Sequence, residues 1–206
     1  MYFKLFFAIG ACLLILLGAG IYYRDENALR DDSNLEANKA KPYSLARVQL
    51  WWWTLVIIIS FTLVYGITGQ FWPMNETCLT LLGISLFTTT SGKIIDNNQI
   101  TDGKTERHQD NPSEGFMTDI LSDENGLSIH RFQTVVFNLV YSFYFLIEVF
   151  SQLDGKAFPV FDAQTLALLG ISSSAYIALK MTEAKPKPSG AEANPLKGNT
   201  PNEVQT

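Results

Sequence analysis

The distribution of charge along the chain is the feature that most limits how it folds. Charged residues are nearly absent from five long apolar blocks and crowd the segments between them. Each block has the length that a helix needs to cross about 30 Å of hydrocarbon. The run LVIIISFTLVYGI at 55–67 lacks the polar face of a soluble bundle helix. We therefore predict an all-α membrane protein with about five transmembrane helices. The predicted spans are Leu5–Tyr22, Val48–Gly69, Cys78–Ile95, Phe132–Phe150 and Ala163–Leu179.

Positive charge predicts the orientation of these helices. With five spans, two of the 15 Lys and Arg residues, Lys4 and Lys156, fall on one side and the remaining thirteen on the other. The positive-inside rule puts the thirteen in the cytoplasm, with the amino terminus outside and the carboxyl terminus inside. Residues 1–23 are interpreted as an uncleaved N-terminal anchor. The alternative is a signal peptide, although a single lysine precedes the apolar block.

A repeat organises the rest of the chain. The pattern S-x-x-R-x-Q begins at residue 44 and again at residue 128, and each copy opens an apolar block. LTLLGIS at 79–85 aligns with LALLGIS at 166–172, with the offset increased from 84 to 87. The pattern predicts two helical hairpins, 43–95 and 127–180, which run in the same direction as parallel repeats.

The repeated polar residues predict contacts at the inner membrane surface. Arg47 and Arg131 lie one turn inside their helices, where a guanidinium reaches lipid phosphate or the neighbouring repeat. Gln49 and Gln133 sit slightly deeper, at positions that favour hydrogen bonds across helices.

Small and hydroxyl residues on the returning helices predict either close helix packing or the lining of a narrow aqueous path. The residues concerned are Gly83, Ser85, Thr88, Thr89, Gly92, Gly170, Ser173 and Ser174.

The two copies of S-x-x-R-x-Q and L-x-L-L-G-I-S, together with DILSDENGLSIHRFQ at 119–133, resemble a group of uncharacterised bacterial inner-membrane proteins. The resemblance covers Tyr43–Lys180 and implies no activity. It implies a bacterial inner membrane, so the amino terminus would be periplasmic.

Three polar segments lie outside the predicted spans. Residues 24–42 form a cytoplasmic segment, 96–126 an acidic loop, and 181–206 a Pro-containing tail that we expect to be disordered. In the loop, the helical spacing of four apolar residues predicts a short amphipathic helix that docks a partner or lies on the membrane. The alternative is a helix that only covers the hairpin ends. The four residues are Phe116, Met117, Ile120 and Leu121.

No motif for catalysis is present in the sequence. HExxH, GxSxG, P-loop and dinucleotide fingerprints are absent, so we predict no enzyme activity and no cofactor. His108 with Glu106 and Asp110 is a weak metal pattern, and we predict no metal site. The net charge of −5 gives no basic stripe for nucleic acid. Asn138, deep in the fourth block, is interpreted as an interhelical hydrogen-bonding residue.

These features favour a small inner-membrane scaffold or sensor that oligomerises and docks a cytosolic protein. The alternative is an oligomeric pore or channel that acts as the membrane component of a bacterial stress or antiphage defence system. The lipid bilayer and further copies of the chain are the expected partners.

Overall fold

The computed structural model describes residues 2–24, 28–36, 38–102, 105–106, 108–123, 125–153, 157–182 and 185–186. The chain is mostly helical. The helices are α1 (Tyr2–Arg24), α2 (Leu45–Thr68), α3 (Glu76–Asp102), α4 (Phe116–Leu121), α5 (Ile129–Ser151) and α6 (Ala163–Thr182), with a 3₁₀ turn at His108–Asp110. Four two-residue strands form two antiparallel pairs, β1 (Thr105–Glu106) with β4 (Lys185–Pro186), and β2 (Ser122–Asp123) with β3 (Gly126–Leu127).

Five helices in the described part of the chain are long and apolar enough to cross a membrane. They are α1, α2, α3, α5 and α6, and they contain the five predicted blocks except Gly69, which follows the last residue of α2. The prediction of a helical chain with five candidate spans is confirmed at this level. Helix α3 continues past Ile95, the end of the third predicted span, to Asp102. Six of the seven residues from 96 to 102 are polar, so hydropathy gave no signal for this extension.

Four of the long helices form a closed ring. Helix α2 packs against α3 and α5, and α6 packs against α3 and α5. Helix α1 lies outside the ring against α2. The α2–α3 hairpin therefore packs side by side with the α5–α6 hairpin, and α1 covers one side of the first.

The helix ends follow from local backbone chemistry. Ser44 and Ser128 have extended backbones directly before α2 and α5, and their carbonyls accept the first helical hydrogen bonds. Neither side chain makes the capping bond that serine commonly makes at this position. Gly69 ends α2 in the left-handed conformation (φ 68°), which glycine adopts without strain.

Aromatic side chains fill the ring between the two hairpins. Trp53 and Phe145 meet edge to face with their ring centroids 6.4 Å apart, and Phe145 stacks on Phe158 at 6.3 Å. All three side chains are almost fully buried. The side-chain amide of Asn75, before α3, donates to the carbonyls of Phe158 and Pro159. These two hydrogen bonds tie the α2–α3 connection to the α5–α6 connection.

Polar bonds cross the same core nearer the starts of α2 and α5. The Trp53 indole N–H donates to Asn138 Oδ1 at 2.6 Å, and Asn138 Nδ2 donates to the Thr134 carbonyl at 2.7 Å. The hydroxyls of Thr134 and Ser172 are 2.8 Å apart. The prediction that Asn138 bonds across helices is confirmed. These bonds pair polar groups at a depth where neither water nor lipid would satisfy them.

Substituting Asn138→Ala should lower the free energy of unfolding by about 1 kcal/mol, because the Trp53 N–H would lose its buried acceptor. Denaturation of the purified protein in mixed micelles measures the change. Gln133→Ala, on the same helix but exposed, is the matched control and should leave the unfolding free energy unchanged. Equal effects of the two substitutions would contradict the buried bond.

Candidate functional site at the charged end of the bundle

One end of the bundle carries most of its buried charge. We call it the charged end, and it is where α2 and α5 begin and α3 and α6 finish. Residues 28–36 and 38–44 and α4 with its flanking turns pack there against the helix ends. The opposite end, which holds the α2–α3 and α5–α6 connections, is called the turn end.

Three ionised side chains meet inside the charged end, and we call them the buried ion cluster. Lys180 Nζ lies 2.9 Å from Asp96 Oδ2 and 3.3 Å from Asp31 Oδ1. The side chains of Lys180 and Asp96 are each 1% exposed, and that of Asp31 is 7% exposed. Charges removed from water to this degree carry a desolvation penalty of several kcal/mol each, so they persist only because they are paired.

The cluster joins three separate parts of the chain. Lys180 lies in the last turn of α6, and Asp96 lies in the polar extension of α3. Gly92 is one turn before Asp96, and a Cβ there would lie 3.7 Å from Lys180 Nζ, so the amine packs close to α3. The third member, Asp31, comes from the segment between α1 and α2.

Backbone pairing holds Asp31 in place. An antiparallel bridge joins Arg30 to Tyr43, so the two ends of the segment that precedes α2 lie side by side. The Asp31 N–H donates to the Pro42 carbonyl at 2.9 Å, and the Ser44 N–H donates to the Leu29 carbonyl at 2.8 Å. The Ser44 side chain bonds the Asp31 carboxylate instead of capping α2.

The charge of Asp31 is maintained against its burial. Desolvation by burial raises the pKa of this carboxyl. The charge of Lys180, the hydrogen bond from the Ser44 hydroxyl and the charges of Arg131 and Arg47 lower the pKa, and together they outweigh the desolvation. The net result is a pKa below the ordinary aspartate value. The two arginines therefore supply the positive charge that a single lysine cannot give to two carboxylates.

The two arginines of the repeated motif occupy different environments. Arg131 is buried at 4% exposure, with its guanidinium carbon 5.2 Å from the centre of the Tyr176 ring. Of the two predicted roles, this position fits the internal contact and not lipid phosphate. Arg47 is partly exposed and pairs with Asp32 at 2.9 Å.

The two glutamines also differ. Gln49 is buried and its Nε2 donates to Ser173 Oγ at 3.1 Å, which links α2 to α6 across the two hairpins. Gln133 is exposed on α5. The matched sequence positions thus give an interhelical bond in the first copy, whereas the Gln133 side chain points away from the ring.

The predicted packing or pore-lining residues separate into an inner and an outer group. Ser85, Thr88, Gly92 and Ser173 are buried in the ring. Thr89 is half-buried, and its hydroxyl is 3.0 Å from the Ala46 carbonyl on α2. The outer group lines a shallow groove of about 340 Å³ between α3 and α6 and comprises Gly83, Gly170 and Ser174. The buried Ser173 also contributes to the wall of this groove.

The predicted docking helix is α4, and most of its apolar side chains face the protein itself. Ile120 is buried, and Phe116 and Leu121 pack beside it against α2 and α6 residues. Met117 is 64% exposed. This packing favours the alternative interpretation, a helix that covers the hairpin ends.

A buried carboxylate fixes the turn before α4. Asp119 accepts hydrogen bonds from the Tyr43 N–H at 3.0 Å, the Ser113 hydroxyl at 2.6 Å and the Glu114 N–H at 3.0 Å. The acidic loop is therefore tied to the start of α2. Of the predicted tail 181–206, only residues 181–182 and 185–186 are described, and the side chains of His108 and Glu106 lie outside the described part.

Sequence reasoning missed the buried ion cluster. Lys180 was interpreted only as a positive charge at a helix end, and Asp96 only as the first residue of an acidic loop. The repeat contains one signal that a lysine is placed at this level of the returning helices, because the offset of 87 aligns Lys180 with Lys93. Which of the two lysines points inward is not encoded in that spacing.

The cluster is suited to holding segments together. Its members are nearly inaccessible to water, and within the described ranges no group of three or more His, Cys, Asp or Glu side chains is arranged to hold a metal ion.

Comparisons of the chain with protein-family models, with curated proteins and with solved structures found no match.

Replacing the central amine should strongly destabilise the protein. Lys180→Met would leave Asp31 and Asp96 buried without their cation, and we expect the unfolding free energy to fall by roughly 3–5 kcal/mol. Lys93→Met is the matched control, since Lys93 holds the equivalent position in the first repeat but is exposed, and it should have little effect. A triple variant with Asp31→Asn and Asp96→Asn should recover much of the loss. Equal effects at Lys180 and Lys93 would contradict the assignment.

Stability should also depend on pH through Asp31. Because its pKa is lower in the folded state than in the unfolded state, Asp31 contributes stability above its ordinary pKa of about 4 and loses it as pH falls through the folded-state value. The unfolding free energy of the wild type should therefore fall on acidification below about pH 4. Asp31→Asn should reduce this fall, as measured by unfolding in micelles across that range. A variant with the wild-type pH profile would contradict the role of Asp31.

Proposed function

We propose that the protein is a small multi-pass scaffold or sensor of the bacterial inner membrane, whose charged end docks a cytosolic protein. The observation that carries the proposal is the buried ion cluster. It uses a lysine and two carboxylates to fix the inter-helix segment and both hairpins in one arrangement.

The energetics of buried ion pairs indicate that the buried ion cluster fixes the arrangement of the segments it joins and does not only add to stability. A buried ion pair is often no more stable than apolar residues of the same volume, whereas breaking it is costly. An arrangement of this kind penalises every alternative packing of the segments it joins. We therefore propose that the cluster holds the surface of the charged end in a fixed shape for a partner.

The exposed chemistry of that surface suggests the kind of partner. Asp102 and Glu114 are exposed acidic residues, and Met117 and Leu127 are exposed apolar residues on α4 and β3. An acidic surface with isolated large apolar side chains suits a soluble protein that has basic residues around a small apolar pocket. This is a narrower docking surface than the four-residue helix face inferred from the sequence.

The proposal includes the orientation and the repeat. The charged end would be cytoplasmic, with the amino terminus periplasmic, because most Lys and Arg residues of the chain lie on that side. Helix α1 would act as the anchor, and the two hairpins would be the parallel repeats. Copies of the chain would associate through the groove of small residues between α3 and α6, where a Cβ on Gly83 would meet no atom within 4 Å.

The alternative of an oligomeric pore has less support. Ser85 and Thr88 donate to carbonyls of their own helix, and Ser173 accepts from Gln49. These buried hydroxyls are thus used in packing within one chain. A pore would have to use the outer groove, where Ser174 is exposed.

Site-specific photo-crosslinking in intact cells tests the docking surface. A photoreactive residue at Met117, at the charged end, should give a discrete adduct with a cytosolic protein. The same residue at Phe71, which is 73% exposed at the turn end, is the matched control and should not give that adduct. The purified partner should then bind wild type and Lys93→Met alike, and bind Lys180→Met more weakly at a temperature where all three are folded.

Two results would contradict the scaffold. One is an identical set of adducts from Met117 and Phe71, or none from Met117. The other is a steady current through planar bilayers containing the purified protein that Ser174→Leu alters, which would support the pore instead.

A further inference from the structure

A groove lies beside α1 and is distinct from the groove of small residues between α3 and α6. It has a volume of about 530 Å³ and lies between α1, α2 and α3. Cavities of about 300–1,000 Å³ are typical of small-molecule sites. The lining residues are Ile15, Gly18, Ala19, Tyr22, Ala28, Arg47, Leu50, Trp51, Thr54, Leu55, Thr89 and Lys93.

Each of the three helices contributes a single face to this groove. The lining residues of α2, from Arg47 to Leu55, are spaced three, four, seven and eight residues from Arg47, so they lie on one face of the helix. The lining residues of α1, from Ile15 to Tyr22, are spaced three, four and seven residues from Ile15 and also share one face. On α3 they are Thr89 and Lys93, one turn apart. The groove is therefore a built feature of the helix packing, with walls that extend along the membrane-spanning direction.

The groove has a charged mouth and an apolar interior. Arg47 and Lys93 lie at the charged end, and Asp32 pairs with Arg47 there, which leaves a net positive charge among the three. Farther along, Leu50, Leu55 and Ile15 supply apolar walls. On those walls the Thr54 hydroxyl donates to the Leu50 carbonyl at 2.7 Å and the Thr89 hydroxyl to the Ala46 carbonyl at 3.0 Å. The buried Trp51 indole N–H has no hydrogen-bond partner among the described residues.

We propose that this groove binds one anionic phospholipid, with its headgroup phosphate between Lys93 and Arg47 and an acyl chain along α1 and α2. Charge complementarity at the mouth selects the anionic headgroup, because a cation near a membrane surface favours anionic lipids by about 1 kcal/mol. The apolar walls select an acyl chain. A free phosphate ion would satisfy only the mouth, so the lipid is the occupant that matches the whole groove.

The two repeats thus use equivalent lysines for opposite purposes. The offset of 87 pairs Lys93 with Lys180. Lys180 points into the protein and binds two carboxylates, whereas Lys93 is exposed at the mouth of the groove. Helix α1 has no counterpart in the second hairpin, and it provides the wall that makes the groove.

Native mass spectrometry of the detergent-purified protein tests the proposal. The probes are dioleoyl phosphatidylglycerol, which is anionic, and dioleoyl phosphatidylcholine, which has the same chains and no net charge. The wild type should bind the anionic lipid more tightly. Lys93→Gln should weaken that binding by about five-fold, which corresponds to one interfacial cation. Lys39→Gln removes the same charge at the same end, outside the groove, and should have no effect.

A second pair of variants tests the acyl-chain compartment. A Cβ on Gly18 or Gly20 of α1 would meet no atom within 4 Å, and only Gly18 lines the groove. Gly18→Leu should abolish binding of both lipids at the site without unfolding the protein, whereas Gly20→Leu should bind like wild type. Excess inorganic phosphate should not displace the bound lipid.

Three outcomes would overturn the proposal. They are equal binding of the two lipids by the wild type, equal losses from Lys93→Gln and Lys39→Gln, and unchanged binding by Gly18→Leu. None of these outcomes depends on a cytosolic partner, so they are distinct from failure of the docking proposal.

Discussion

The attraction between the Lys180 amine and two buried carboxylates is the interaction on which the rest of the structure depends. Asp96 lies on the first hairpin, Lys180 on the second, and Asp31 on the segment that follows α1. A single cation therefore links all three parts of the chain at one end of the bundle. Because each ion is costly to bury alone, the packed arrangement is favoured over any in which one segment has moved away.

The two ends of the bundle are held by different physics. At the turn end, Trp72, Phe145 and Phe158 form an aromatic core, and Asn75 ties the two connections together. At the charged end, ion pairs and hydrogen bonds dominate, and the Arg131 guanidinium lies over the Tyr176 ring and adds positive charge near the Asp31 carboxylate. Between them, Gln49 and Asn138 bond across helices at depths where a lone polar group would be costly. The proposed docking surface and the proposed lipid groove both use the charged end, the first on its outer surface and the second beside α1.

Periodicity and charge predicted the helices well, because lipid imposes length and composition on any helix that crosses it. The same reasoning placed Arg47 and Arg131 at one level of the bundle. It did not distinguish their environments, since matched sequence positions do not determine which side chain a neighbouring helix covers. The inward turn of Lys180 and the extension of α3 through Asp96 depend on long-range packing between α3 and α6, and no local pattern encodes that contact. Likewise, the spacing of Phe116 and Ile120 predicted an amphipathic helix, but not that its apolar side would be used by the chain itself.

A double-mutant cycle between Asp96 and Lys180 tests the central claim most directly. The unfolding free energies of wild type, Asp96→Asn, Lys180→Met and the double variant give the coupling energy of the pair. The account predicts a favourable coupling of at least about 2 kcal/mol, because the two ions are buried and in direct contact. A coupling within about 0.3 kcal/mol of zero would show that the two side chains do not meet, and it would contradict the arrangement on which the charged end is built.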